Sequence, residues 1–187
     1  MGLERIRYEV QEILLTDSVA ENKDTLFRYI PELENMVGFK HRHPHHNLDV
    51  WDHTVAVVNN LRGSTDIELK MAGLLHDIGK PFSYQDEEVR HFHGHPEVSA
   101  EMSTRILKRM GYDEKFIDDV SYLVLRHDTP IEPENLDNSY GMVRKLLALQ
   151  YADAKAHHPD KVKKRTDLLD SIAEQLENIE KKEERYK

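Results

Sequence analysis

The stretch Ala72-Gly73-Leu74-Leu75-His76-Asp77-Ile78-Gly79-Lys80 decides how this chain is read. An apolar run delivers an imidazole and a carboxylate side by side, and a Gly-Lys pair follows at once. A lone His-Asp pair carries little information in a protein with 12 histidines. Its weight comes from the residues that stand at wide intervals around it: His53, His95, His127 and Asp153. Each follows or lies within a segment of helical spacing. Ligands carried on separate rigid helices and converging on one point are what a metal site in a helical bundle requires.

Outward from this stretch, apolar residues recur at steps of three and four almost throughout, which is the helical period. Asp66 is placed to cap the helix that carries Leu69, Ala72, Leu74 and Leu75 to His76. Upstream, Asp49 to Leu61 reads as a helix closed by Gly63. Before it come a helix over residues 3–15 and a helical stretch from Leu26 to Val37 with a boundary at Pro31. Gly38 to Asn47 is a loop that holds His41, His43, His45 and His46. Downstream, Pro81 to Pro96 reads as irregular, with a short ribbon near Val89 to Phe92.

Glu97 to Met110 is a helix closed by Gly111, and Asp113 caps another that reaches His127. Ser139 to about His157 is the next, ended by Pro159. The segment from Asp160 to Arg185 is amphipathic and highly charged, with Val162, Leu168, Leu169, Ile172, Leu176 and Ile179 as its apolar stripe. A core face is the first use of such a stripe, and a homodimer contact is the alternative. The expected fold is an all-α, single-domain helical bundle with its core over residues 40–157 and helical extensions over 1–37 and 160–187.

A chain of 187 residues suits one domain with a full-size core. A formal net charge of -9 argues against binding a long nucleic-acid backbone. It leaves small nucleotides open, because a bound cation reverses the local charge. With no cysteine there is no disulfide framework, which fits a reducing compartment. No apolar run reaches the roughly 18 residues a membrane span needs. The opening Met1-Gly2-Leu3-Glu4-Arg5-Ile6 lacks the apolar region of a signal peptide. A cytoplasmic enzyme is expected.

Divalent metals take neutral imidazole nitrogens and carboxylate oxygens. Asp153 lies mid-helix in Gln150-Tyr151-Ala152-Asp153-Ala154-Lys155-Ala156, after the apolar run Val143 to Leu149. A carboxylate there is costly unless it is exposed, capped or paired with a cation, and its small alanine neighbours allow close helix approach. His53, His76, Asp77 and Asp153 would fill most of one coordination shell. His95 and His127 would hold a second ion, with Asp77 bridging the pair. Two ions roughly 3.5–4 Å apart are a recurring device for hydrolysing phosphate esters. Taken singly, each residue has an ordinary use: a hydrogen-bonded helix-face histidine, a turn residue before Pro96, a favourable charge at a helix end, a solvated Asp. The joint pattern favours the metal.

In their order along the chain, His53, His76-Asp77, His95, His127 and Asp153 resemble the ligand series of the HD superfamily of metal-dependent phosphohydrolases. Leu74-Leu75-His76-Asp77-Ile78-Gly79-Lys80 is similar to that family's most recognisable motif. Gly94-His95-Pro96-Glu97-Val98-Ser99-Ala100 resembles its second histidine motif, and Leu125-Arg126-His127-Asp128 its third. The stretch from His45 to Val58 looks closest to the HD domain attached to bacterial tRNA nucleotidyltransferases. The resemblance covers roughly residues 40–157. It implies one or two divalent ions per chain (Fe, Mn, Ni, Co, Zn or Mg) and hydrolysis of a phosphate mono- or diester of a small nucleotide by metal-bound hydroxide.

Two departures stand out. A chain of 187 residues has no room for a nucleotidyltransferase head, so a stand-alone HD protein is expected. His127 is followed by Asp128, where several two-metal relatives have a second histidine; His93 or another loop histidine is a candidate to complete that shell.

Catalytic roles are expected for Asp77, for Lys80 and for Asp128, the last orienting His127 or the attacking water. Lys80, just past the His-Asp pair, is placed to hold a phosphate oxygen. Arg126 adjoins His127 and would add positive charge for substrate, or serve in a surface salt bridge. His45 and His46 are candidates for substrate binding and for a general acid on the leaving oxygen. A non-catalytic, metal-stabilised regulatory or interaction module is the rival reading.

Overall fold

The computed structural model describes residues 2–40, 48–85 and 90–185, with side chains through 182. Eight α-helices are present among them: α1 Leu3–Leu15, α2 Lys23–Tyr29, α3 Val50–Asn60, α4 Ile67–Leu75, α5 His95–Arg109, α6 Glu114–Arg126, α7 Tyr140–Ala156 and α8 Pro159–Arg185. Short 3-10 segments, Pro31–Met36 and Lys80–Phe82, join them. The all-α expectation holds. The described residues include two isolated antiparallel bridges, Lys40 with Asp49 and Gln85 with His91. The second falls in the expected ribbon, whose Val89 lies outside the described residues.

Four helices begin where the sequence places a cap. Asp49, Asp66 and Asp113 each accept a backbone N–H three residues on, and Ser139 does the same for Met142. Two boundaries differ from expectation. The second histidine motif starts its helix at His95 rather than at Glu97. Gly94, at φ +76, takes the left-handed turn that lets His95 N–H reach Phe92 O at 3.1 Å. Pro159 opens α8 instead of merely ending α7, because proline's missing N–H costs nothing at a helix start.

Helix α4 is the axle of the bundle. Leu69 to Leu75 are all buried, and the helix packs on α1, α3, α5, α6 and α7. A helix buried around its whole circumference, with Lys70 its one buried charge, has only one stable place, the middle of the core. Its C-terminal end therefore delivers His76 and Asp77 to the centre of the molecule. Inside the core, Phe27 and Trp51 pack edge to face at 4.9 Å.

Helix α8 lies on α7 through Leu169, Ile172 and Leu176, which are buried, so the stripe is a core face. Leu168 departs from that stripe and is 63% exposed. No helix among the described residues is long and apolar enough to cross a membrane.

Candidate metal centre

Three imidazoles are set by the same local device. His76 and His127 sit immediately after α4 and α6, where the last carbonyls have no helical N–H partner. Each turns its Nδ1 back to the carbonyl three residues earlier: His76 to Gly73 O at 2.8 Å, His127 to Val124 O at 2.6 Å. His95 does the same to Phe92 O at 2.9 Å. A carbonyl only accepts, so the proton resides on Nδ1 and the lone pair on Nε2. All three Nε2 atoms point to one place.

Asp77 stands in the middle of it. Its Oδ2 lies 3.6 Å from His53 Nε2 and 3.3 Å from His76 Nε2. Its Oδ1 lies 3.3 Å from His95 Nε2 and 3.7 Å from His127 Nε2. The cluster thus divides into two groups whose ligand atoms lie within 4.8 Å of one another: His53, His76 and Asp153, and Asp77, His95 and His127. Asp153 Oδ1 is 3.0 Å from His53 Nε2 and 4.0 Å from His76 Nε2. All six residues are buried.

These donors fit divalent cations. His76 Nε2 and Asp77 Oδ1 are buried and make no hydrogen bond, a costly state unless a cation satisfies them. His95 Nε2 and His127 Nε2 face each other at 3.2 Å with both protons committed elsewhere, so two lone pairs oppose across that gap. An imidazole and carboxylate set of this kind suits zinc, iron, manganese, cobalt or nickel.

The electrostatics are those of a cation trap. Burial opposes ionisation of Asp77, but His76 and Lys80 outweigh it and hold the carboxyl well below the usual range. Burial likewise opposes ionisation of Asp153, but the His53 hydrogen bond and the field of the neighbouring His157, His53 and Arg165 prevail and hold it well below the usual range. Burial alone would push His76 down, yet Asp77 and Asp153 pull it above its ordinary value. His127 goes the other way: burial dominates over the pull of Asp128 and keeps it neutral to lower pH.

Lys80 is buried, and its Nζ donates to Asp77 Oδ2 at 2.7 Å. It also lines a cleft of about 370 Å³ with Arg90, His91, Phe92, His93, His95 and Asp128. His93 stacks on His91 in that cleft, with ring centroids 5.6 Å apart. Asp128 places Oδ2 3.4 Å from His95 Nε2 and 3.8 Å from His127 Nε2. It therefore stands on the lone-pair side of the second group. Orienting His127 falls to the Val124 carbonyl, which corrects that part of the expected role of Asp128.

Of the two uses expected for Arg126, the structure shows the surface salt bridge. Neighbouring helical residues point about 100° apart, so Arg126 turns away from His127 and pairs with Asp137 at 3.0 Å in a separate cleft. His45 and His46 lie outside the described residues.

Two residues escaped the sequence reading. His157 directs Nδ1–H to Asp153 O at 2.7 Å, and Arg165 Nη2 donates to Asp153 Oδ2 at 3.1 Å. The four-residue step from Asp153 to His157 on a helix was a usable signal. Arg165 comes from α8, and no spacing announces it.

Glycine has a specific use beside the His-Asp pair. A Cβ on Gly79 would lie 2.6 Å from Ser99 N and 2.8 Å from Ser99 Oγ, so only glycine lets α5 close on the turn after Asp77. Gly79 N–H also donates to Ser99 Oγ at 2.9 Å. This contact sets the spacing between Asp77 and His95.

An all-α bundle with two linked clusters of imidazole and carboxylate defines a class of metal-binding domain. The HD domain family matches residues 46–184, and the chain belongs to that family. It is 34% identical over 136 residues to the CC-adding tRNA nucleotidyltransferase of Thermus thermophilus, covering 66% of this chain and 31% of that protein. Over 171 residues it is 32% identical to the A-adding tRNA nucleotidyltransferase of Deinococcus radiodurans, covering 82% and 39%. Ribonuclease Y of Thermoanaerobacter pseudethanolicus is 27% identical over 158 residues, covering 81% and 28%. The chain thus spans about a third of the length of these curated relatives.

Proposed function

We propose that this chain is a metal-dependent phosphohydrolase acting on a phosphate mono- or diester of a small nucleotide, with two divalent ions on the two donor groups. The observation that carries the reading is Asp77, whose two oxygens face different imidazole pairs. A structural site needs one closed shell; a shared carboxylate between two incomplete shells leaves positions for solvent and substrate. His53, His76 and Asp153 would hold one ion, and His95, His127 and Asp128 the other. Bound divalent ions would acidify a water and neutralise charge building on phosphoryl oxygens.

The chain's own residues supply the rest. The carbonyls of Gly73, Phe92 and Val124 fix the tautomers of His76, His95 and His127. Lys80 Nζ holds Asp77 Oδ2 in place and presents its charge to the adjoining cleft, where a phosphate oxygen would lie. Arg90 and Phe92 line the same cleft and offer charge and a ring to the remainder of the substrate.

A second reading of the substrate has support of its own. The relatives named above are tRNA nucleotidyltransferases and a ribonuclease. Arg90, which lines the cleft, lies over the ring of Tyr84, itself 39% exposed, a pairing of ring and cation that suits a single-stranded RNA end. The test is turnover of nucleoside mono-, di- and cyclic phosphates and of matched oligoribonucleotides by protein reconstituted with Mn, Fe, Co, Ni, Zn or Mg. Preference for free nucleotides supports the first reading, and preference for the oligomers the second. No turnover with any metal overturns both in favour of a regulatory module.

A further inference from the structure

Helix α8 touches the candidate centre through one guanidinium. Arg165 Nη2 donates to Asp153 Oδ2 at 3.1 Å, the oxygen turned away from His53. Its Nη1 donates to His157 Nε2 at 2.8 Å. His157 in turn directs Nδ1–H to the Asp153 carbonyl at 2.7 Å, so Nε2 is the accepting nitrogen. Both nitrogens of His157 are engaged, and it serves as a spacer for Arg165. The guanidinium is a rigid fork, and here its two prongs fix two atoms whose relation is already set by one turn of α7.

The packing around this fork is uneven. Leu169, Ile172 and Leu176 seat α8 on α7, and Tyr151 O–H donates to Asp170. Between Arg165, Leu168 and the segment His127 to Pro130, a gap of about 150 Å³ remains beside the cluster. Near the centre, then, α8 is held by polar contact to Asp153 as much as by apolar contact.

Resting on the metal reading above, we infer that Arg165 is a positioning residue that couples docking of α8 to metal occupancy. By holding Oδ2, it leaves Oδ1 as the oxygen offered toward His53 and His76. Outer partners of this kind orient a ligand, and losing one costs about 10–100-fold in metal affinity. Linkage makes the effect reciprocal: metal binding tightens the N-terminal turns of α8.

The test uses the full chain titrated with Mn²⁺, with free Mn²⁺ read by electron paramagnetic resonance. Arg165→Met should weaken one Mn²⁺ per chain by about 10–100-fold. Arg165→Lys, which keeps one donor, should fall between it and wild type. Glu180→Gln, which breaks only the distant ion pair to Arg144, should titrate as wild type. Hydrogen exchange on the wild type should show residues 160–168 gaining protection with Mn²⁺, a measurement that stands even if Arg165→Met folds poorly. Overlapping Mn²⁺ titrations for Arg165→Met and wild type, or no change in α8 exchange, would overturn the coupling while leaving the metal centre intact. A wild type that takes up no Mn²⁺, Zn²⁺ or Fe²⁺ would overturn the metal reading and the coupling with it.

Discussion

His53 and His76 are fully buried, whereas His95 lines one cleft and His127 another. The first group is buttressed from behind by Arg165 and His157. The second ends in Asp128, whose side chain is 46% exposed. The two groups share Asp77, use the same residue types and descend from helices of the same bundle. Their difference lies in what backs them. Rigidity on one side and access on the other suit an arrangement in which one ion is kept and the other meets substrate.

The most severe way to break this comparison is to remove what the halves share. Asp77→Asn should lower turnover at least about 10²–10³-fold, the loss expected for a preorganised electrostatic group, and should reduce bound metal on both sides. Steady-state kinetics with elemental analysis checks it. Loss of metal from one half alone would show that the carboxylate is not shared.

Stability should then separate the halves. Asp153→Ala strips the acceptor from His53 and Arg165 in a buried setting and should cost about 1–3 kcal/mol in urea unfolding. Asp128→Ala, at a half-exposed position, should stay within about 0.5 kcal/mol while still lowering metal or activity. Equal costs would mean that the open half is as tightly built as the closed one.

The junction can be probed without touching a ligand. Gly79→Ala forces its Cβ onto Ser99 and should destabilise the fold by about 1–3 kcal/mol. Because the displaced element is α5, metal on the His95 side should weaken before metal on the His53 side.

Acid sharpens the contrast most gently. A metal must displace any proton on its imidazole, so affinity falls as pH drops below that imidazole's pKa, by up to about tenfold per unit for each proton. His76 is raised and His127 lowered, so proton competition begins at higher pH in the closed half. Acidification from pH 8 should release the closed-half ion first, as followed by metal binding against pH.

How much of this was legible follows the range of the interactions. Helix caps at Asp49, Asp66, Asp113 and Ser139 are local and could be read directly. His53, His76, His95, His127 and Asp153 were legible because each follows or lies within a segment of helical spacing and together they keep the order of a known ligand series, Asp153 standing out among alanines. The division of labour between the two oxygens of Asp77 needed the packing of α4 against α1, α3, α5, α6 and α7. The salt-bridge use of Arg126 was legible too, because adjacency along a helix is not proximity in space, but its partner Asp137 was not. Arg165 was invisible because its partner lies across a chain reversal.

Lys70 deserves a last consequence. It is the largest fully buried side chain among the described residues, on the helix that ends in His76, and its ammonium donates to Leu14 O and Asp17 Oδ1, at 3.0 and 2.5 Å. Asp17 meets it from a left-handed backbone at φ +54. Trimming the protein to its recognisable motifs would strand a cation in the interior. The opening helix is accordingly a plug, and a shortened form beginning near residue 40 should misfold although every proposed ligand is retained.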